Sequence, residues 1–111
     1  MTWQQKISVI ADALTAIEGL PVYHYWRFIV DAPWCIWQED GYVGFQADNK
    51  KGEHGATGTV DYFTKEEYDP NIDAIQSALD GIENLAWTFS EIQYEEETNL
   101  IHVTWRWTLY G

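Results

Sequence analysis

Cysteine, methionine, proline and positive charge are all scarce in this chain: one Cys, one Met, three Pro and six Lys and Arg among 111 residues. A single cysteine excludes an internal disulfide, and Cys35, set among Trp34, Ile36 and Trp37, is expected to be a buried small hydrophobe in a reducing compartment. The six cations face eighteen Asp and Glu, a formal net charge of -12. That balance repels phosphate backbones and anionic lipid surfaces, so neither a nucleic acid nor a membrane is expected as a partner. No apolar run approaches the roughly 18 residues of a membrane span. The N-terminal MTWQQKISVIADALTAIEG has neither the apolar core nor the small-residue cleavage site of a secretory signal, and a soluble intracellular protein is expected.

Catalytic and cofactor signatures are missing too. His24, His54 and His102 are scattered, with no HExxH and no paired Cys/His spacing for zinc. There is no phosphate-binding GxxxxGK[ST], no GxGxxG after a strand and no GxSxG. Carboxylate pairs such as Glu39 with Asp40, or those between Glu95 and Glu97, are too common here to mark an acid/base site. The expectation is a protein that is not an enzyme and has no cofactor and no metal.

What the chain does have is bulk. Of its residues 46% are hydrophobic and 16% aromatic, with seven Trp and seven Tyr. This is enough apolar surface for one domain over residues 1–111 to offset its chain entropy. Thr2 and Gln5 form the spacing of a capping box, and Ile7, Ile10, Leu14 and Ile17 recur along one stripe, which predicts a helix over 3–18 stopped by Gly19 and Pro21. Asp69 before Pro70, with Ile72, Ile75, Leu79 and Ile82, predicts a second helix over 70–83, ending near Gly81 and Asn84. Strands are expected at 20–26, 33–39 and 57–64, the last with Val60 and Tyr62 on one face and Asp61 and Phe63 on the other. The final residues read as a hairpin: Ile101, Val103, Trp105, Trp107 and Leu109 alternate strictly, and the phase change between Phe89 and Ile92 predicts a bulge near Ser90 and Glu91.

The fold class is therefore α+β: two helices packed on one face of a mostly antiparallel sheet of four to five strands, in the order helix, strands, helix, hairpin. Trp34, Trp37, Trp105 and Trp107 are expected in the core, and the sheet face without helices is expected to keep a surplus of Trp and Tyr. Between FQADN and Val60 the stretch KKGEHGATG carries charge and glycine with no apolar anchor, which predicts a mobile loop at about 46–56.

In this order, GLPV after a helix, GFQADNK, YFTKEEYDP leading into NIDAIQSAL, and a closing hairpin resemble the small tail-completion, or tail-terminator, proteins of long-tailed phages and prophages of Gram-positive bacteria. The resemblance implies a structural subunit that forms a ring with copies of itself, commonly a hexamer. Such a ring caps the tail tube at the head-tail junction of the virion and joins it to the head-tail connector, after assembly in the host cytoplasm. Phe45, Ala47, Asp48 and Asn49 match the family segment, and Tyr62, Thr64 and Lys65 match the strand exit. The chain departs from the pattern with EHGATG where an aromatic residue more often follows, and in its many Trp. With Lys50, Lys51 and His54 of the loop, Phe45, Ala47, Asp48, Asn49, Tyr62 and Lys65 make the expected subunit interface. Two other functions fit the composition: a small acidic inhibitor that mimics nucleic acid, suggested by the charge of -12, and a ligand-binding module using Trp37, Trp105 or Trp107.

Overall fold

A computed structural model describes residues 2–26, 31–43 and 55–111. The first helix, α1, spans Trp3–Thr15 behind the expected capping box: Thr2 Oγ1 accepts from the Gln5 amide at 3.1 Å and Gln5 Oε1 accepts from the Thr2 amide at 2.9 Å. Ile7, Ile10 and Leu14 are its buried stripe. It ends before residue 18 because the chain tightens: the Ile17 amide bonds to the Leu14 carbonyl, three residues back, and Gly19 turns the chain at φ 77°. The second helix, α2, spans Pro70–Asp80 and also stops short of its expected end, with the Ile82 amide on the Leu79 carbonyl. Gly81 keeps right-handed dihedrals, and the positive φ falls instead on Asn84 at 65°.

Five strands make one sheet: β1 (Val22–His24), β2 (Trp34–Val43), β3 (Gly55–Thr64), β4 (Leu85–Glu95) and β5 (Leu100–Tyr110). The chain order of helix, three strands, helix and two strands is not the order of the sheet, which is β1-β2-β3-β5-β4. β1 lies parallel to β2 and every other pair is antiparallel. Thus α2 connects β3 to a strand two places away, β5 fills the gap between them, and β4 is left at the edge. The expected bulge is present, with the β4–β5 register shifting between Phe89 and Glu91. A second shift, between Glu39 and Gly41 of β2, has no warning in the sequence.

Two expectations are corrected. The predicted loop ran to residue 56, yet Gly55 and Ala56 are buried residues of β3, paired with Val43 and Tyr42 on one side and Tyr110 and Leu109 on the other. Paired on both sides, this small-residue stretch holds its place without a bulky anchor. β2 likewise continues past residue 39 to Val43.

The second correction concerns the aromatic surplus. Ile10, Leu14, Ile75 and Leu79 form one core cluster with Trp37, Val60, Tyr62, Val103, Trp105 and Trp107, so both helices cover the face on which these Trp stand. Alternation then sends Thr57, Thr59, Asp61, Thr104, Arg106 and Thr108 to the opposite face, which is chiefly polar. Among the described residues, Trp34 and Phe63, stacked with centroids 4.9 Å apart, bring a large aromatic pair there.

Two contacts pin this arrangement. A Cβ on Gly58 would lie 2.1 Å from the Gln38 carbonyl oxygen and 2.2 Å from the Trp107 ring, so the indole can occupy that place only above a glycine. Asp69, the buried cap of α2, accepts from the Asn71 amide at 2.8 Å and from the hydroxyls of Tyr62 and Thr64, each at 2.6 Å, which ties the helix start to β3. Burial, with the Asp69 carboxylate beside it, drives the Tyr62 hydroxyl pKa far above its ordinary value.

Substituting Gly58→Ala should cost about 3 kcal/mol or more, because a backbone oxygen as well as a ring must move. Asp69→Ala should cost about 3 kcal/mol, combining a lost cap with two orphaned hydroxyls. Asp69→Asn, which keeps an oxygen for the cap, should cost less. Urea unfolding of the three variants checks both statements.

Candidate functional site

Most residues expected at a subunit interface, namely Phe45, Ala47, Asp48, Asn49, Lys50, Lys51 and His54, lie outside the described residues. Of the other two, Lys65 is exposed at the exit of β3, whereas Tyr62 is fully buried. Tyr62 presents no surface to a neighbour. Its hydroxyl donates to Asp69 and accepts from Asn71 Nδ2 at 2.9 Å, which makes it a positioning residue for the loop that carries Lys65.

Two surfaces stand out that were not named in advance. The first is on the edge strand. Phe89, Ile92 and Tyr94 oppose Trp105, Val103 and Ile101 and so continue the core row of β5 outward, but they are 41%, 58% and 59% exposed. Phe89 meets Trp105 edge-on with centroids 5.7 Å apart. The bulge at Ser90 is what keeps Ile92 and Tyr94 on this face: without the extra residue the parity would send them to the polar side. Among the described residues nothing pairs with the outer edge of β4, and its backbone groups there are open to another strand.

The second surface lies at the other end of the sheet. The His24 ring is held between Trp37, at 3.8 Å and 7° between planes, and Tyr25, at 4.0 Å and 21°. Trp26 extends the stack at 6.2 Å and is 71% exposed, so the rings run from core to solvent. The local backbone is bent to allow this. The Trp26 amide bonds to the His24 carbonyl at 3.0 Å around Tyr25, whose φ of 71° is the left-handed region that a bulky residue enters only with strain.

Glu39 closes this group, with Oε1 2.6 Å from His24 Nε2 and a further hydrogen bond to the Tyr25 hydroxyl. Burial disfavours its charge, but the bonds from Tyr25, His24 and backbone outweigh burial and hold its pKa below the ordinary carboxylate value. Between these residues and α1 is a cavity of about 350 Å³, walled by Ile7, Ala11 and Trp37 and rimmed by Gln4, Ser8, Tyr25 and Glu39.

The polar sheet face has its own chain of contacts. Asp61 accepts from Thr104 at 2.7 Å and lies 2.8 Å from His102, whose ring stacks on Phe63 at 4.1 Å. Farther along, Asp40 accepts from Thr57 at 2.8 Å and Arg106 at 3.1 Å. Thr104 and His102 share the same Asp61 oxygen, so the imidazole does not lie between carboxylate and hydroxyl as nucleophile activation requires. Among the described residues no group of three or more His, Cys, Asp or Glu could hold a metal ion, and no helix is long and apolar enough to cross a membrane. Cys35 is buried, and its thiol is pushed far above its ordinary pKa chiefly by desolvation. A thiolate nucleophile is therefore disfavoured there.

Neither a scan against protein-family models nor a search of curated proteins returns a match for this sequence.

Desolvation raises the Asp61 pKa, but the hydrogen bonds from His102, Thr104 and Thr59 lower it more, and the net shift is downward. A carboxylate with a depressed folded-state pKa stabilises the fold above its unfolded value of about 3.9, and that contribution is lost as pH falls through the folded value. The gap in thermal midpoint between wild type and Asp61→Asn should therefore narrow from pH 4 to pH 2.5. Melts in both conditions measure it.

Proposed function

We propose that this chain is a non-enzymatic assembly subunit of the tail-completion type, a ring-forming terminator that caps a phage tail tube and joins it to the head-tail connector. The observation that carries the proposal is the edge strand β4. It offers an open row of backbone groups and an exposed apolar row, Phe89, Ile92 and Tyr94, in register with the core. A lone domain pays for such an edge with aggregation unless another chain covers it. A heterologous contact that closes into a ring covers every edge and leaves none to grow, which is what a terminator needs. The family resemblance of GFQADNK and YFTKEEYDP supports the same role, with a hexamer as the ring and Asp48, Asn49 and His54 as part of the contact.

Charge fits this function as well. Subunits at -12 repel one another at low ionic strength, and a basic surface on the tube or connector would gather them. The second helix has its start tied to β3 through Asp69 and touches β4, the strand that follows it in the chain.

Light scattering after size exclusion, from micromolar to near-millimolar protein and at two salt levels, should find a closed oligomer that grows with concentration and salt. Ile92→Glu should shift it to monomer without lowering the thermal midpoint, since Ile92 is exposed. A wild-type monomer under every condition would overturn the ring. Deleting the gene from a phage genome that carries it should leave heads and tails unjoined, and normal infectious particles would overturn the role.

A further inference from the structure

From the cavity between α1 and β1–β2 we infer a second site: a pocket for the guanidinium of an arginine side chain borne by a basic peptide segment, held by Glu39. It does not rest on the assembly role, because a short peptide is enough to occupy it.

The volume of about 350 Å³ is at the lower end of the range for ligand pockets, suited to one or two side chains rather than an extended ligand. Its inner wall is apolar, formed by Ile7, Ala11 and Trp37, and matches the methylene stem of a long cationic side chain. Its rim is polar: Gln4 and Ser8 on α1 face Glu39 and Tyr25 on the sheet side. A carboxylate offers about four acceptor directions, and His24 and Tyr25 occupy two of those on Glu39. The remainder suit a planar fork of N–H donors better than a point charge, which selects arginine over lysine.

The electrostatics select the sign. Among the described residues no Lys or Arg lines the cavity and the only basic group there is His24, and the chain carries -12 overall. An anion would meet Glu39 and that field unaided. The hydrogen bonds that keep Glu39 ionised supply the charge a cation needs at the rim. The strained turn at Tyr25 has a consequence in the same place, since it swings the Tyr25 ring over His24 and leaves its hydroxyl on Glu39, so the carboxylate is oriented before any ligand arrives. Strain of this kind persists where surrounding contacts compel it, and here they converge on one carboxylate.

The test is calorimetric titration of the full chain with hexa-arginine at 150 mM salt, with hexalysine and maltose as comparison ligands and amide shift mapping to locate the contact. Hexa-arginine should bind with a stoichiometry of one, move the amide signals around Tyr25, Trp37 and Glu39, and exceed hexalysine in affinity. Glu39→Gln should weaken it by about tenfold or more, the loss of a charge-assisted bond. Because Glu39→Gln could also loosen β1, Gln4 provides a second variant: it is exposed on α1 and is not part of the core cluster. Gln4→Lys should abolish binding and Gln4→Glu should tighten it. Several weak peptides per chain, with no response to the Gln4 substitutions, would mean diffuse attraction to an acidic surface and would overturn the site. Maltose binding in place of hexa-arginine, or no binding at all, would overturn it too, while leaving the oligomer measurement to decide the assembly role separately.

Discussion

The indole of Trp107 lies over Gly58 so closely that no other residue fits beneath it, and much of the fold depends on that contact. Gly58 sits in β3 between β2 and β5, and the ring that covers it belongs to the same row as Trp105, Val103 and Leu109. Burying that row against Ile10, Leu14, Ile75 and Leu79 chooses the face on which both helices must pack. Once that face is chosen, the alternation of three long strands leaves no freedom for the rest. Threonine, aspartate and arginine line the other face, and the few large aromatics there gather at Trp34 and Phe63.

The core is built for volume rather than for polar pairing. The indole nitrogens of Trp105 and Trp107 are buried and find no hydrogen-bond partner among the described residues, a cost of roughly 1–3 kcal/mol each that the buried ring area has to offset. The buried carboxylate of Asp69, by contrast, is well bonded. Asp69 takes three donors, and through Tyr62 and Thr64 the cap of α2 becomes a fixture of β3 rather than a loose helix end. The crossover from β3 to β4 therefore starts from a rigid point, and with β5 inserted between those two strands, β4 is delivered to the sheet edge with its apolar row aligned on the core.

The two surfaces proposed as functional lie at opposite sides of the sheet and arise in different ways. At β4 a single extra residue at the bulge preserves parity and keeps Ile92 and Tyr94 beside Phe89. At β1 a left-handed residue, Tyr25, folds the chain back so that four rings stack from core to solvent beside an ionised carboxylate. Both are suited to holding other chains, by strand pairing at one side and by a charged side chain at the other.

Local patterns were legible in the sequence because they depend on neighbours a few residues apart. The capping box at Thr2 and Gln5, the Asp69–Pro70 start of α2, the helical stripes, the alternation of β5 and the bulge near Ser90 all rest on periodicity and on single-residue caps, and the α+β class follows from them. What tertiary structure decided was everything that depends on which strand lies next to which. Residues 55 and 56 read as loop until partners on both sides made them strand. Tyr62 read as surface until Asp69 closed over its hydroxyl. Glu39 and His24, fifteen positions apart, became a pair only because β1 lies parallel to β2. Parity along one strand can be counted from the sequence, but which parity faces the helices is set by the packing of the whole sheet: it puts Trp37, Trp105 and Trp107 in the core, as expected, and sets Trp34 beside Phe63 on the opposite face.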